Sequence, residues 1–223
     1  MISIIRSDNT VLSILQNQNR MCVEFQEVKT KDSIFTDGIK PDLVVFDCDY
    51  TLWPFDCDKD VRSPYIIHEN GMITDYMYRK SNPYSDVISI IEGLVDADIP
   101  IAYASRNPSE YQIEQLLRSI RINPKAENKK HIQNMWDVLP SRLFFHAYSS
   151  HGSGPGKTKH FEAIKKATGI SYNKMIFFDD LPENIYNARI LGVTSILLTQ
   201  KNGLTWRDIN NGFNTWRSPS IST

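Results

Sequence analysis

VVFDCDYTLW, residues 44–53, is an apolar run that ends in two aspartates spaced two positions apart. The run is too short for a helix and is bounded by polar residues, which is typical of a buried strand. Similar runs occur later in the chain, separated by segments whose apolar residues have the spacing of a helix. One such segment has apolar residues at positions 87, 90, 91, 94 and 95. The strand-like runs are LVVF (43–46), IPIAYA (99–104), RLFFHAY (142–148), KMIFF (174–178) and VTSILL (193–198). Strands that alternate with helices predict an α/β fold, with a central parallel sheet of about five strands covered on both faces.

The chain between the first strand and a helix predicted to begin near Ser85 departs from this alternation. It contains YIIHENGMITDYMY, residues 65–78, in which Asn70-Gly71 lies between two strand-like runs. Asn-Gly is the strongest short hairpin signal, because both residues accept the positive φ of a type I′ turn. We therefore predict a small β-hairpin flap at about residues 64–80. The insertion is too short to form a large cap domain.

The chain of 223 residues is long enough for one hydrophobic core of ordinary size, and nothing indicates a second domain. Residues 1–40 are polar and weakly periodic, and we interpret them as an N-terminal extension of unknown role. Residues 41–216 are predicted to form the α/β domain, followed by a C-terminal tail at 217–223.

Composition argues against several classes of protein. A formal net charge of −1 gives no general attraction to nucleic acid or to an anionic membrane. No apolar run approaches the roughly 18 residues of a membrane span, and MISIIRSDNT at the start does not resemble a signal peptide. Cys22, Cys48 and Cys57 are an odd number without metal-ligand spacing, which favours a reducing compartment. We expect a cytoplasmic protein that binds neither nucleic acid nor membrane, of unknown oligomeric state.

Polar residues follow four of the predicted strands, at the point where each strand ends. In an open parallel sheet, ligands bind outside the carboxyl ends of the strands. The residues concerned are Asp47, Asp49 and Thr51, then Ser105 and Arg106, then Lys157 in a glycine-rich loop, and finally Asp179 and Asp180. Carboxylates suit a hard cation such as Mg²⁺, and a lysine with a hydroxyl group suits a phosphoryl group. The sequence therefore predicts a site for Mg²⁺ and a phosphorylated ligand at this edge.

The two aspartates of the opening stretch indicate a specific reaction. A carboxylate can attack phosphorus and form an aspartyl-phosphate, provided that a cation reduces the repulsion between the two anions. Asp47 is the candidate nucleophile. Asp49, two positions on, can reach the same side of the chain. It would protonate the departing oxygen and later accept a proton from the hydrolytic water.

Each of these residues also has a structural interpretation, which the sequence leaves open. An Asp-x-Asp after a strand is common turn chemistry. Ser105 could cap a helix, and Asp179 and Asp180 could cap the helix that opens at Pro182. Lys157 could be a solvated surface lysine. Trp53 and Phe55 could belong to the core or could line the site.

A competing motif is GSGPGKT, residues 152–158, which resembles the phosphate loop of P-loop nucleotidases. That loop requires four residues between its two glycines, and only three separate Gly152 from Gly156. Pro155 also removes an N–H from a loop whose purpose is to present N–H groups to phosphates. These two departures disfavour a nucleotide-binding protein.

Taken together, FDCDYTLW, ASRN, the loop lysine and FFDD resemble the four motifs of haloacid dehalogenase (HAD) superfamily phosphatases, in the same order. Within that superfamily, VVFDCDYTLWPF, HFEAIKKATGISYNKMIFFDDLPENI and LGVTSI are similar to the magnesium-dependent phosphatase type 1 family, over about residues 42–213. The resemblance implies a HAD-like, Rossmann-like three-layer sandwich, Mg²⁺ and an aspartyl-phosphate intermediate. It also implies a phosphorylated small molecule or phosphoprotein as substrate, either phosphotyrosine or small sugar-type phosphates such as fructosamine phosphates.

The resemblance assigns roles only to matching positions. Asp47 corresponds to the nucleophile, and Asp49 to the acid and base, whose backbone carbonyl also binds the metal. The remaining positions are Ser105 and Lys157 for the phosphoryl group, Arg106 for the substrate, Asp179 for the metal, and Asp180 for support of the metal. The alignment of His160-Phe161 favours Lys157 over Lys159 as the phosphoryl-binding lysine.

The sequence is also compatible with two other functions. A catalytically inactive relative could bind a phosphorylated partner, but the intact motifs argue against it. A related HAD branch transfers phosphoglyceryl units to carrier proteins, so a phosphoryl or phosphoglyceryl transferase is the main alternative. The small hairpin and the complete DYTLWPF stretch favour the hydrolase.

Overall fold

The computed structural model describes residues 5–7, 10–17, 20–27, 34–35, 38–148 and 156–218, the first three ranges by their backbone alone. Most of the GSGPGKT stretch and residues 219–223 of the predicted tail lie outside the described residues. The chain divides into two compact units, residues 1–37 and 38–223. The first unit contains an antiparallel sheet of three neighbouring strands, β1 (Ile5–Ser7), β2 (Thr10–Asn17) and β3 (Arg20–Glu27). The weak periodicity of residues 1–40 did not predict this sheet.

The second unit alternates strands and helices as the sequence predicts. Its elements in chain order are β4 (Leu43–Phe46), β5 (Ile66–Ile67), β6 (Ile73–Thr74), α1 (Val87–Asp96), β7 (Ile101–Ser105), α2 (Glu110–Ser119), β8 (Phe145–Ala147), α3 (Thr158–Thr168), β9 (Met175–Asp179), α4 (Pro182–Ile190), β10 (Thr194–Leu197) and α5 (Trp206–Arg217). Five of the strands form one parallel sheet in the order β10-β9-β4-β7-β8. The predicted α/β fold is confirmed, and β4 is the central strand of its sheet.

The three inner strands are buried along their whole length. Every residue of β4, β7 and β9 is buried. Because successive side chains of a strand point to opposite faces, this pattern requires cover on both faces of the sheet. Helix α1 buries the apolar positions that the sequence spacing predicts, Val87, Ile90, Ile91, Leu94 and Val95.

Helix ends follow the proline and glycine signals of the sequence. Helix α4 begins with Pro182, whose fixed φ suits the first helical turn. Helix α3 ends immediately before Gly169, whose positive φ of 73° suits glycine. Across the described ranges, no helix combines the length and the apolar composition needed to cross a membrane.

The insertion after β4 contains the predicted hairpin, in which β5 and β6 pair antiparallel. The predicted type I′ turn is wrong, however, because Gly71 is the one residue of the loop with a positive φ, 78°. The amide of Gly71 donates to the carbonyl of His68 at 2.9 Å, and the amide of His68 donates to the carbonyl of Met72 at 2.8 Å. This pattern is typical of a three-residue loop with a glycine bulge. The side chain of Asn70 accepts the amide of Met72 at 3.0 Å, which stabilises this loop instead.

Candidate active site

The carboxyl ends of the inner strands bring the predicted residues to one edge of the sheet. Asp47 directly follows β4, Ser105 ends β7 and Asp179 ends β9. The amide of Asp47 donates to the carbonyl of Phe178 on the neighbouring strand at 3.0 Å, which places Asp47 beside Asp179. Lys157 reaches the same edge from the residue before α3. Separate segments of the chain therefore supply the site.

Three carboxylates lie close together at this edge. Asp47, Asp179 and Asp180 are buried, and each presents an oxygen that lies within 4.8 Å of the other two. A donor set made only of oxygen is the one that Mg²⁺ prefers. Asp49, also predicted as a metal ligand, does not contribute its carboxylate to this group, which leaves its backbone carbonyl as the predicted ligand.

Lys157 contacts two of these carboxylates. Its side chain is fully buried, and its Nζ contacts Asp47 and lies 2.6 Å from Oδ2 of Asp179. Nζ also donates to the carbonyl of Ala104 at 2.6 Å. The interpretation of Lys157 as a solvated surface lysine is therefore wrong. Lys159, by contrast, is exposed.

The charges of this cluster do not balance. When all are ionised, three carboxylates and one ammonium group leave two negative charges in a buried site. Burial raises the pKa of Asp47 well above its usual range, while Lys157 opposes this shift and Asp179 adds to it. Burial disfavours the charged form of Lys157, but Asp179 and Asp47 outweigh it and raise the pKa of the lysine. A divalent cation would neutralise the remaining charge.

Side chains outside the cluster hold Asp179 and Asp180. Oδ1 of Asp179 accepts the amide of Leu181 at 2.8 Å, and Nδ2 of Asn184 donates to Oδ1 and Oδ2 of Asp179 at 3.0 and 2.9 Å. Oδ2 of Asp180 accepts from Nε2 of Gln200 at 2.7 Å. The N-cap of α4 is Leu181, so the interpretation of the two aspartates as its caps is wrong.

Asp49 lines the same cavity but is held by a different set of donors. Its Oδ1 accepts from Nε1 of Trp53 at 2.8 Å and from the amide of Cys57 at 3.1 Å. Its Oδ2 accepts from Nδ2 of Asn107 at 2.6 Å. Burial raises the pKa of Asp49 to about 6, against hydrogen bonds from Asn107 and Trp53 that lower it. A carboxyl group with such a pKa can release and accept a proton near neutral pH.

Ser105 is buried and is fixed through both its side chain and its backbone. Its Oγ accepts the amide of Asn107 at 3.2 Å, and its carbonyl accepts from Nε2 of His160 at 2.8 Å. The N-cap of α2 is Ser109, so Ser105 does not cap that helix. Burial lowers the pKa of His160 to about 3, helped by the charge of Lys157, and the imidazole is therefore neutral.

A cavity of about 460 Å³ opens at this edge of the sheet. It is lined by Asp47, Asp49, Tyr50, Asp56, Asp58, Lys59, Ser105, Arg106, Asn107, Pro108, Asp180, Leu181, Asn184 and Gln200. The guanidinium of Arg106 lies 3.3 Å from Glu183 and 3.3 Å from Asn184, so it is held on the cavity wall. The residues of the β5–β6 hairpin are not among these lining residues.

The side chains that hold the acids in place include three that the sequence motifs do not single out, Asn107, Asn184 and Gln200. Trp53 is fully buried and also donates to Asp49, so it belongs to both the core and the site. Asn107 ends the ASRN motif and Asn184 follows FFDD closely, and this proximity to a motif is the signal that could have indicated them. Gln200 comes from the loop after β10, and no sequence pattern connects it with Asp180.

Comparison with known proteins identifies the class of this site. A family model described as Acid Phosphatase matches residues 39–219, which contain the whole site. Magnesium-dependent phosphatase 1 of Homo sapiens is 33% identical over 176 residues, or 79% of this chain and 87% of that protein. A HAD-like hydrolase superfamily protein of Schizosaccharomyces pombe is 32% identical over 166 residues, or 74% of this chain and 89% of that protein. The chain therefore belongs to the magnesium-dependent phosphatase 1 family of HAD-like phosphatases, as its motifs predict.

Solved structures of similar proteins have lower identity. One is the N-terminal part of a Bacteroides fragilis protein that contains a phosphatase domain complexed with Mg. It is 17% identical, with a TM-score of 0.48, and the match covers 85% of this chain and 42% of that chain. A HAD-superfamily hydrolase from Ehrlichia chaffeensis is 14% identical, with a TM-score of 0.47, and the match covers 81% of this chain and 100% of that chain.

Proposed function

We propose that this protein hydrolyses phosphomonoesters through an aspartyl-phosphate formed on Asp47, with Mg²⁺ held by Asp47, Asp179 and Asp180. The observation that carries the proposal is the position of Asp47. Its carboxylate belongs to the buried cluster and also lines the cavity, so it can meet a cation and a substrate at once. The magnesium dependence of the human relative, stated in its name, supports the same conclusion.

The residues of the cluster fit a divalent cation. They supply oxygen donors in a small volume, and their negative charge exceeds that of Lys157 by two. The backbone carbonyl of Asp49 would add a further oxygen, as the family resemblance implies. When bound, Mg²⁺ withdraws charge from the phosphoryl oxygens and so reduces their repulsion of Asp47.

In the first step, a carboxylate oxygen of Asp47 attacks phosphorus and forms the aspartyl-phosphate. The ester bond breaks, its electron pair stays on the leaving oxygen, and Asp49 gives that oxygen a proton. Lys157 and Ser105 hold the phosphoryl oxygens during the transfer, and Arg106 contacts the substrate from the cavity wall. The positive charge of Lys157 stabilises negative charge that develops on the phosphoryl group.

In the second step, Asp49 acts as a base. Its carboxylate takes a proton from water while the water oxygen attacks phosphorus, and the bond to Asp47 breaks to release phosphate. A group that must be protonated in one step and ionised in the next works best with a pKa near the working pH, and the pKa of Asp49 is about 6.

Phosphotyrosine-type esters or small sugar phosphates, including fructosamine phosphates, are the proposed substrates. The insertion after β4 contains a small hairpin, and the residues of this hairpin do not line the cavity. An entrance without a large cap admits a phosphorylated protein side chain as well as a small molecule. A phosphate-release screen over phosphopeptides, sugar phosphates and nucleotides would rank these classes.

The test of the mechanism is mass spectrometry of protein quenched in acid after incubation with Mg²⁺ and an activated aryl phosphate. Asp49→Asn should lose about 10²–10⁴-fold in activity and should accumulate a phosphoryl group that hydroxylamine removes. Asp47→Asn should carry no label, because an amide is a far poorer nucleophile than a carboxylate. Asp42→Asn is the matched control, since Asp42 is exposed at the opposite end of the same strand.

Label on Asp47→Asn at the wild-type level, or label that maps to a serine or a histidine, would overturn this mechanism. A labelled wild type that releases no phosphate but passes its phosphoryl group to an added carrier protein would make the protein a transferase. A wild type that binds a phosphopeptide but is never labelled and releases no phosphate would make it an inactive relative.

A further inference from the structure

Asn107 is a buried side chain on the wall of the cavity, with 8% of its surface exposed. We propose that it is a positioning residue, which fixes Oδ2 of Asp49 as the oxygen that exchanges protons with the substrate and with water. This inference rests on the proposed function, because it concerns the same acid and base. It adds a residue to which the family motifs assign no role.

Neighbouring groups determine the orientation of the Asn107 amide. Its Oδ1 accepts the backbone amide of Ser109 at 2.8 Å, which only the oxygen end can do. The nitrogen end therefore faces the carboxylates, and Nδ2 donates to Oδ2 of Asp49 at 2.6 Å and to Oδ1 of Asp56 at 3.1 Å. Since an amide nitrogen has two N–H groups, both are used, one by each acid. The side chain is held at both ends.

The two oxygens of Asp49 differ in the number of hydrogen bonds that they already accept. Each carboxylate oxygen can accept about two hydrogen bonds. Oδ1 already accepts from Nε1 of Trp53 at 2.8 Å and from the amide of Cys57 at 3.1 Å. Oδ2 accepts from Asn107, at 2.6 Å. Within the part of the chain that the structure describes, Oδ2 is therefore the oxygen with an unused lone pair, and it can carry the proton.

Both chemical steps then pass through Oδ2. In the first, its O–H bond breaks and the proton goes to the leaving oxygen as the ester bond cleaves. In the second, Oδ2 takes a proton from the water that attacks phosphorus. Without the donor from Asn107, the carboxyl group could turn about its contacts at Oδ1. A misplacement of about 1 Å in a reacting group can cost about 10²-fold in rate.

The test compares kcat/KM for phosphomonoesters whose leaving groups need different degrees of protonation. The esters are p-nitrophenyl phosphate, phenyl phosphate and an alkyl phosphate, each assayed with Mg²⁺ present. For Asn107→Ala we expect a loss of about 10²-fold with the alkyl ester and less than about 5-fold with the p-nitrophenyl ester. The ratio between two esters does not depend on the fraction of correctly folded enzyme, so reduced stability cannot imitate this result.

Asn107→Asp separates the two ends of the side chain. It keeps an oxygen for the amide of Ser109 but replaces the donor to Asp49 with a second acceptor. We expect the same selective loss as for Asn107→Ala. Asn134→Ala is the matched control, because Asn134 accepts the amides of Trp136 and Asp137 at 3.0 and 3.1 Å but does not line the cavity. It should change all esters alike, by less than about threefold.

Equal losses of Asn107→Ala on all esters, or wild-type behaviour of Asn107→Asp, would limit Asn107 to a structural role and overturn the inference. Either result leaves the proposed function intact as long as the wild type is active. A wild type that hydrolyses none of the esters would refute the proposed function itself, so the two failures are distinct.

Discussion

At the scale of single residues, Lys157 links the stability of the site with its chemistry. Its ammonium group is fully buried against Asp47 and Asp179. Loss of one partner from a buried ion pair typically costs about 3–5 kcal/mol, because the other charge is left uncompensated. The same positive charge is available to stabilise a phosphoryl group. Its removal should therefore affect both folding and turnover.

Lys157→Met is expected to lower kcat/KM for a monoester by at least about 10²-fold, as for loss of other transition-state donors. It should also lower the melting temperature more in chelator than in Mg²⁺, because a cation offsets the same carboxylates. Lys159→Met is the control, since Lys159 is exposed two residues away. Equal effects of the two substitutions would contradict the role assigned to Lys157.

His160 predicts a dependence of folding stability on pH. Its pKa is about 3 in the folded protein against an ordinary 6.5. Between these values the unfolded chain binds a proton that the folded protein does not, so stability falls as pH falls through this window. From pH 6.5 to 5 the loss should reach about 1.6 kcal/mol, which His160→Gln should remove. Denaturant unfolding at both pH values measures this loss of stability. Equal losses in the wild type and in His160→Gln would contradict the role of His160.

The sequence could predict the site residues that belong to motifs, but not the side chains that orient them. Asp47, Ser105 and Asp179 lie at the carboxyl ends of strands, so their common location is a property of any parallel sheet. The bond from Gln200 to Asp180 depends on how the loop after β10 folds back, which no local pattern encodes. Asn107 is the last residue of the ASRN motif, but its position in the sequence does not indicate that its side chain contacts Asp49.

At the scale of elements, the loop between β10 and α5 supports the catalytic edge. Gln200 donates to Asp180, and its carbonyl accepts the hydroxyl of Tyr84. The amide of Leu204 donates to the carbonyl of Thr51 at 2.9 Å. Gly203 packs against the ring of Tyr84 with a positive φ of 58°. Close packing at this glycine therefore helps to set the position of a predicted metal ligand.

Gly203→Ala is expected to destabilise the protein more than Gly71→Ala. Both glycines have positive φ, which costs about 1–2 kcal/mol for alanine. A Cβ at Gly203 would lie 2.0 Å from the ring of Tyr84, whereas one at Gly71 would meet nothing within 4 Å. Overpacking should add about 1–3 kcal/mol at Gly203. Urea unfolding measures the stability of both variants. Equal free energies of unfolding for Gly203→Ala and Gly71→Ala would show that close packing at Gly203 does not contribute.

Elements were predictable where a single pattern determines them. The five strands of the parallel sheet have apolar runs too short for helices, and their alternation with helices indicates parallel pairing. The hairpin turn was misjudged because the side chain of Asn70 bonds the amide of Met72, an option that competes with positive φ at Asn70. The N-terminal sheet was missed because the apolar pattern of residues 1–40 is weak.

At the scale of the whole molecule, the net charge of −1 conceals a local excess of two negative charges at the cluster. Bringing like charges together opposes folding, whereas a cation that binds them only in the folded state favours it. Metal binding and folding are therefore coupled in the proposed site.

EDTA is expected to abolish phosphatase activity and to lower the melting temperature, and Mg²⁺ should restore both. At a free Mg²⁺ concentration about 100 times Kd the stabilisation should be about 2.7 kcal/mol. Asp180→Asn should reduce this stabilisation, while Asp42→Asn should leave it unchanged because Asp42 is exposed at the other end of β4. Full activity in chelator would contradict a role for the metal.

The central position of β4 has a consequence for how the enzyme loses activity. The strand pairs with β7 on one side and β9 on the other, and the amide of Asp47 is bonded within that pairing. Deuterium can replace the hydrogen of this amide only after β4 separates from β9, and we expect these inner strands to separate only when the sheet unfolds. Amides of the Glu69–Gly71 loop should exchange much earlier. Heating should consequently inactivate the enzyme in a single transition, without an intermediate in which Asp47, the proposed nucleophile, is displaced while the sheet is intact.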